Sequence, residues 1–410
     1  MAKKTFLLRS RKKKAHSLLN AGQLGQARLV LEEIIRLENR DADVWLMLGV
    51  IAGRQARHSD AAECFRKANK LRPRDPQILY NLGIALRDSG DMEAALARFG
   101  KVVQLKPDFG DAMACLADAQ MNLGKLEEAE KTFRLAVRMQ PRNAELHANL
   151  GSVLQARGLV DEAVDCYRKA LTINPGLPSY DSLGSALTGQ GDFDEAIAVY
   201  REGMRRQPGN ARVHSNLLLT LNYVPGLDPE AVYHEHCLWG ERHGNPSGQM
   251  KHHGNTREPD RVLRVGYLSP DFRTHSVAYY IGPLLQAHHG GKVETFCYSL
   301  VPRPDATTGR LRSWSDHWRD ISQNGDQQIV EQVVNDRIDI LVDLAGHTAH
   351  NRLGVFARKP APVQVTYLGY PNTTGLGALD YRLTDVVADP AGADDFYTEH
   401  LERLPDCFLC

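Results

Sequence analysis

Proline recurs at Pro73, Pro107, Pro141, Pro175 and Pro208, at spacings of 34, 34, 34 and 33 residues. Each proline closes a block with the same internal marks. One block carries Leu82-Gly83, Ala95, Phe99 and Pro107; the next Leu116-Ala117, Ala129, Phe133, Ala136 and Pro141; the next Leu150-Gly151, Ala163, Tyr167, Ala170 and Pro175. Upstream, Leu48-Gly49, Ala61, Phe65, Ala68 and Pro73 fit, and downstream Leu183-Gly184, Ala196, Tyr200 and Pro208 fit with one residue deleted. Residues 8–41 read as a degenerate first copy, with Ala27 and Leu31 in place. A fixed period of this length demands a supersecondary unit that cannot bury its own face and must stack on its neighbours.

The marks have physical roles. A small residue at the eighth position lets the first helix of a pair approach the second. The small residue near position 20 serves the same contact from the other side, and the aromatic at position 24 fills the gap. Proline stops the second helix because it cannot continue the backbone ladder, and Ser89-Gly90-Asp91 and Gly191-Asp192 are turn signals between paired helices. This is the tetratricopeptide pattern, and it predicts an α-α superhelix over residues 1–210 with five to six repeats. Such a solenoid presents a groove lined by its first helices. Asn81, Asn149 and Asn216 recur in one register, and their amides are candidates to pair with the main chain of an extended acceptor peptide.

Composition narrows the function classes. Lys+Arg and Asp+Glu number 50 each, so the net charge of zero gives no reason to expect nucleic acid as a partner. No run of about 18 apolar residues predicts a membrane span. The basic start, from Lys3 to Lys14, lacks the apolar stretch of a signal peptide and reads as a solvated helix face. Seven cysteines, three of them (Cys64, Cys115, Cys166) inside helical patterns, suit a reducing, cytoplasmic compartment. A terminal Cys407-x-x-Cys410 pair has no second pair nearby and does not predict zinc.

Residues 211–260 read as capping helices and a linker. Leu217, Leu218, Leu219 and Leu221 sit in the first helix, and a second follows Pro229. His234 and His236 in that second helix lie on different faces and do not predict a metal site. A Gly-, Pro- and Asn-rich stretch closes the segment at 244–260. From Arg261 apolar runs alternate with helical stretches. Strands are expected at 262–268, 293–300, 338–344, 363–368 and 381–384, and helices at 276–286 and 325–335. This alternation predicts βαβ units and a parallel sheet over 261–410.

Parallel sheets bind ligands beyond the carboxyl ends of their strands, which directs attention to three turns, 269–276, 345–351 and 369–375. None is GxGxxG, so a dinucleotide site is disfavoured, and no Asp-x-Asp follows Arg261 to mark a metal-held sugar nucleotide. Asp41-Ala-Asp43 and Asp192-Phe-Asp194 fall in solenoid turns, where helix capping explains them.

Arg264-Val-Gly-Tyr-Leu-Ser-Pro-Asp-Phe-Arg-Thr-His275, Asp343-Leu-Ala-Gly-His347-Thr and Pro360-Ala-Pro-Val-Gln-Val-Thr-Tyr-Leu-Gly-Tyr-Pro371, following a tetratricopeptide solenoid, resemble the protein O-linked N-acetylglucosamine transferases and their bacterial relatives, with a plant sibling branch that transfers fucose. The resemblance covers nearly the whole chain. It implies that 261–410 is the N-terminal Rossmann-like lobe of a GT-B glycosyltransferase. It also implies an inverting, metal-independent reaction without a cofactor, in which a Ser or Thr hydroxyl of an acceptor protein attacks the anomeric carbon of UDP-N-acetylglucosamine. His275 matches the family's active-site histidine, as base or as orienting group; a histidine suits proton transfer near neutral pH. Leu368, Gly369 and Pro371 match the loop against the donor sugar, where glycine permits close backbone approach. Thr373 and Thr374 are expected to donate hydroxyl hydrogen bonds there. Ser276, His347 and His350 are further candidates. The family pattern continues past Cys410 into a second lobe that carries most uridine contacts. Residues 261–410, 150 in all, suffice for one lobe, so the expectation is half a donor site, completed by a further segment or a separate chain. The competing expectation is a non-catalytic scaffold that binds peptides through the solenoid groove.

Overall fold

The computed structural model describes residues 2–244, 253–258, 260–288 and 291–409. The expected linker at 244–260 thus lies partly, at 245–252 and 259, outside the described residues, as does Cys410 of the terminal cysteine pair. The chain divides into two compact units, Met1–Ser179 and Tyr180–Cys410. Among the described residues no helix is long and apolar enough to cross a membrane.

The first unit is a stack of five helix pairs: Ala2–Asn20 with Leu24–Leu37, Ala42–Arg54 with His58–Leu71, Pro76–Asp88 with Met92–Leu105, Gly110–Asn122 with Leu126–Met139, and Ala144–Ala156 with Val160–Ile173. The periodic prolines stand just beyond the second helices, which end at Leu71, Leu105, Met139 and Ile173. That is where proline terminates a helix without removing an internal hydrogen bond. Asp41, Asp75, Asp91 and Asn143 cap first turns with their side chains, accepting from backbone amides two or three residues on.

The repeat marks meet as the pattern requires. A β-carbon on Gly49, Gly83 or Gly151 would lie 2.4, 2.6 or 2.8 Å from the ring of Phe65, Phe99 or Tyr167. The aromatic of each pair therefore occupies the space that glycine leaves. In the fourth pair Ala117 and Phe133 take these positions, both fully buried. Burying each such ring contributes about 1.5–3 kcal/mol.

The second unit opens with another pair, Tyr180–Gln190 and Phe193–Arg206, in which a β-carbon on Gly184 would lie 2.4 Å from Tyr200. Helices Ala211–Leu221 and Pro229–His243 follow. Then comes a sheet of β1 Leu263–Ser269, β2 Val293–Ser299, β3 His317–Asp320, β4 Ile340–Asp343, β5 Val363–Thr366, β6 Tyr381–Asp385 and β7 His400–Leu404. All neighbours are parallel, in the order β3-β2-β1-β4-β5-β6-β7. Val265 of β1 sits between Thr295 and Ile340 in register. Helices Ser276–His288, Ala306–Trp314 and Asp326–Asn335 form crossovers, and Val265, Tyr267, Ile281, Leu285, Cys297, Leu311, Val342 and Val365 share one core. The order is that of a doubly wound Rossmann sheet, whose direction reverses between β1 and β4.

β3, β7 and the helices Ala306–Trp314 and Leu353–Phe356 are elements the sequence reading did not expect. β3 reads His-Trp-Arg-Asp and is half-exposed at the sheet edge, so it lacks the apolar run that marks an interior strand.

Candidate functional site

The turns after β1 and β4 flank the point where the strand order reverses, and the turn after β5 lies beside them. In the first turn, Ser269 and Phe272 are fully buried and Asp271 nearly so. The helix Ala306–Trp314 fixes the rest. Its N-cap Asp305 accepts from the Thr308 amide at 2.8 Å and the Thr274 amide at 2.7 Å, and the Thr308 hydroxyl donates to the Phe272 carbonyl at 2.7 Å. Those amide bonds hold Asp305 well below the usual carboxylate range. An element missed from sequence thus positions the turn that carries His275.

His275 is partly exposed, its side chain 37% accessible, and Ser276 beside it is exposed. The His275 Nδ1 accepts from the Val277 amide at 3.3 Å. A backbone N–H can only donate, so in the neutral ring the proton sits on Nε2. Nε2 lies 3.8 Å from Asp271 Oδ1, beyond hydrogen-bond reach, and is free to donate to a bound oxygen.

The second turn is organised by Asp343, which is fully buried at the end of β4. Its carboxylate accepts from the Gly346 amide at 2.7 Å, the Ala345 amide at 3.2 Å and the Thr366 hydroxyl at 3.3 Å. Burial pushes its pKa up to about 6, against the pull of those amides. His347, expected as a site residue, is fully buried with both ring nitrogens engaged. Nε2 donates to the Thr374 carbonyl at 2.8 Å, and Nδ1 accepts from the Ser215 hydroxyl at 3.0 Å. Its role in this fold is to tie the third turn to the helix Ala211–Leu221. His350 is exposed and held at φ 61°.

The third turn splits into an accessible and a buried half. Leu368 and Gly369 are half-buried and Pro371 is exposed, so these three can meet a ligand. Thr373 and Thr374 cannot, because both are fully buried and their hydroxyls donate to Glu399, itself almost inaccessible. The expected donor-facing hydroxyls thus brace the loop instead, since a buried carboxylate needs donors and these are the nearest. The close approach expected of Gly369 is made within the protein too: a β-carbon there would lie 2.0 Å from the Leu344 carbonyl. Buried Arg382 completes the brace, donating to the Tyr370 carbonyl at 2.9 Å and the Asn372 carbonyl at 3.1 Å.

Behind this loop lies a buried polar network. The His236 Nδ1 donates to the Val232 carbonyl at 2.8 Å, so its Nε2 accepts from the Tyr370 hydroxyl at 2.7 Å, and Tyr370 in turn accepts from Asn222 Nδ2 at 2.9 Å. Gly375, at φ +68°, leaves no room for a side chain: a β-carbon would lie 2.0 Å from the His236 carbonyl. Desolvation drives His236 and neighbouring His243 down to about 4, and His347 well below its ordinary value, so the rings are neutral. His234 is exposed on the opposite face of its helix. Sequence reasoning placed the His-x-His rings on different faces but gave His236 no partner. A buried histidine looks like any other until the loop 134 residues away is folded against it.

The groove candidates Asn81, Asn149 and Asn216 are half-buried on first helices. The Asn81 side-chain oxygen accepts from Gln77 at 3.2 Å.

Residues 245–410 match the family model described as glycosyl transferase family 41, and residues 144–177 and 179–212 match models described as tetratricopeptide repeat. Residues 12–150 match the C-terminal domain of cilia and flagella-associated protein 70. A probable UDP-N-acetylglucosamine–peptide N-acetylglucosaminyltransferase of Arabidopsis thaliana, SPINDLY, is 46% identical over 200 residues, which span 48% of this chain and 22% of the relative. A second from that plant, SEC, is 33% identical over 194 residues, 45% of this chain and 19% of the relative. A solved mutant O-GlcNAc transferase of Thermobaculum terrenum superposes with a TM-score of 0.57 at 35% identity, covering 82% of this chain and 58% of that one. The matches thus span about a fifth of the length of these plant relatives.

Proposed function

We propose, since the chain belongs to the tetratricopeptide-containing glycosyl transferase family 41, that it serves transfer of N-acetylglucosamine from UDP-N-acetylglucosamine to Ser or Thr of acceptor proteins, by an inverting, metal-independent reaction. The observation that carries this reading is the placement of His275 and the accessible Leu368, Gly369 and Pro371 at the carboxyl edge of a Rossmann sheet, beside its point of reversal.

The chemistry assigned to these residues is modest and specific. The tautomer set by the Val277 amide makes His275 a hydrogen-bond donor through Nε2. In that state it orients a substrate oxygen or stabilises developing negative charge. To accept the hydroxyl proton instead, the ring must give up the Val277 bond. Ser276 stands in the same turn as a further contact. Leu368, Gly369 and Pro371 offer an apolar surface against the face of a sugar, and Thr373 and Thr374 keep that surface rigid through Glu399. In the solenoid groove Asn81, Asn149 and Asn216 are assigned to the main chain of an acceptor peptide. Most uridine contacts are assigned, by the same family reading, to a second lobe. A cytoplasmic location suits the six described cysteines, all free thiols.

Calorimetric titration with UDP-N-acetylglucosamine and with UDP, on wild-type and His275→Ala protein, each supplied with the second lobe, tests the reading. The expected result is that the sugar nucleotide loses affinity in the variant while UDP does not. Equal isotherms for both ligands in both proteins contradict a sugar-side role for His275, and absence of any binding favours a peptide-binding scaffold.

A further inference from the structure

A cleft of about 590 Å³ opens at the carboxyl ends of β1–β4. Pro270, Leu300, Val301 and Pro302 form its apolar wall, and Arg273, Arg303, His350 and Arg352 its polar side. Arg273 stands two residues before His275 in the same turn, so the cleft adjoins the candidate transfer site.

Its charge is unbalanced. Arg352 donates to Asp326 at 3.1 Å, and Arg273 lies 3.5 Å from Asp271, too far for a good hydrogen bond. Exposed Arg303 and His350 have no ion pair or hydrogen-bonded side-chain partner among the described residues. A concave site with apolar walls and unspent guanidinium donors favours a ligand that brings both apolar contact and an anion. No Phe, Tyr or Trp lines the cleft, so it lacks the platform on which a nucleobase would stack. An extended peptide needs no such platform, and prolines and aliphatic side chains suit its passage.

We propose that this cleft reads acidic side chains of the acceptor, with Arg303 and Arg273 as specificity-determining contacts; the identity of the bound segment as acceptor rests on the transferase reading above. Arg273 and His275 are two positions apart in the chain, at most about 7 Å. An extended peptide advances about 3.3 Å per residue. With the reach of an arginine side chain added, the preferred Asp or Glu lies roughly two to four positions from the accepting hydroxyl.

The test compares two fluorescent Ser-containing peptides binding the full chain at low salt, identical except that Asp and Glu flanks in one are Asn and Gln in the other. The acidic peptide is expected to bind about five- to tenfold tighter, with the difference shrinking as salt rises. Arg303→Glu is expected to invert the ranking, an outcome that misfolding, which weakens both peptides together, does not produce. Equal binding of the two peptides overturns the proposal, as does a ranking unchanged in Arg303→Glu. Loss of UDP binding in that variant with the peptide ranking intact assigns the cleft to the donor and overturns it as well. Sugar transfer is read separately by mass spectrometry on the neutral peptide. A protein supplied with the second lobe that ranks the peptides as stated but transfers nothing refutes the transferase reading and leaves the acidic docking site standing.

Discussion

The helix pairs of the first unit and the turn after β5 in the second are both tightly held, by opposite means. In a pair, Phe99 meets Gly83 across 16 residues of sequence, and the contact is apolar and repeats in the next pair. In the turn, Tyr370 is held by Asn222 and His236, 148 and 134 residues away, through hydrogen bonds among groups that cannot be left unpaired. Local contacts of one kind, repeated, write a period into the sequence. Distant polar contacts made once leave no period, and each partner is a commonplace residue by itself. The first arrangement tolerates variation, as Ala117 in the place of glycine shows, whereas the second requires every member to be satisfied.

The most severe way to break the comparison is Phe99→Ala, which removes a fully buried ring from one pair. Stability is expected to fall by about 3–5 kcal/mol in chemical denaturation. A loss below about 1 kcal/mol would mean that the pairs do not depend on their position-24 aromatics. Next, Tyr370→Phe strips the hydroxyl that joins Asn222 to His236, at an expected cost of about 1–3 kcal/mol. A double-mutant cycle of Tyr370→Phe with His236→Leu is expected to show coupling of about 1 kcal/mol; additive effects would show that the long-range network holds nothing together.

Acid separates the two regions further. His236 is neutral and its folded-state pKa, about 4, lies below the unfolded value. The unfolded chain therefore binds more protons, and the stability that His236 contributes is present above about pH 6.5 and lost as pH falls toward 4, by about 2 kcal/mol at pH 5. Asp343 acts the other way. Its pKa is raised to about 6, so between about pH 6 and 4 acid favours the fold at this residue, by about 1 kcal/mol at pH 5. Urea midpoints at pH 7 and 5 should fall in the wild type and fall more steeply in Asp343→Asn; parallel slopes would remove Asp343 from this balance.

The smallest expected effect is that of Asn81→Ala, within about 0.5 kcal/mol in stability, as for a partly exposed polar position. The same substitution should weaken binding of a peptide measurably by anisotropy. No change in binding would remove Asn81 from the groove.

What was legible in the sequence follows the same division. The repeat, the sheet's main strands and the three turns could be read because local rules govern them: small residue against ring, proline past a helix end, apolar run before a turn. β3 and β7 were missed because edge strands need not be apolar. The helix Ala306–Trp314 was missed although it carries a capping box, Asp305 with Thr308, ahead of its first turn. Within the site, His275, Ser276, Leu368, Gly369 and Pro371 are partly or fully exposed. Thr373, Thr374 and His347 do not, because Glu399 and Ser215, remote in sequence, claim their polar groups first. Proximity to a motif foretold their location and not the direction in which their hydrogen bonds run.

The most direct test is sugar transfer itself, from UDP-N-acetylglucosamine to a Ser/Thr peptide, followed by mass spectrometry in wild-type and His275→Ala protein, each supplied with the second lobe. The account predicts a mass gain of one N-acetylhexosamine with the wild type, slowed about 10²-fold or more in the variant. Transfer at equal rates in the two proteins, or none with the wild type, would contradict it.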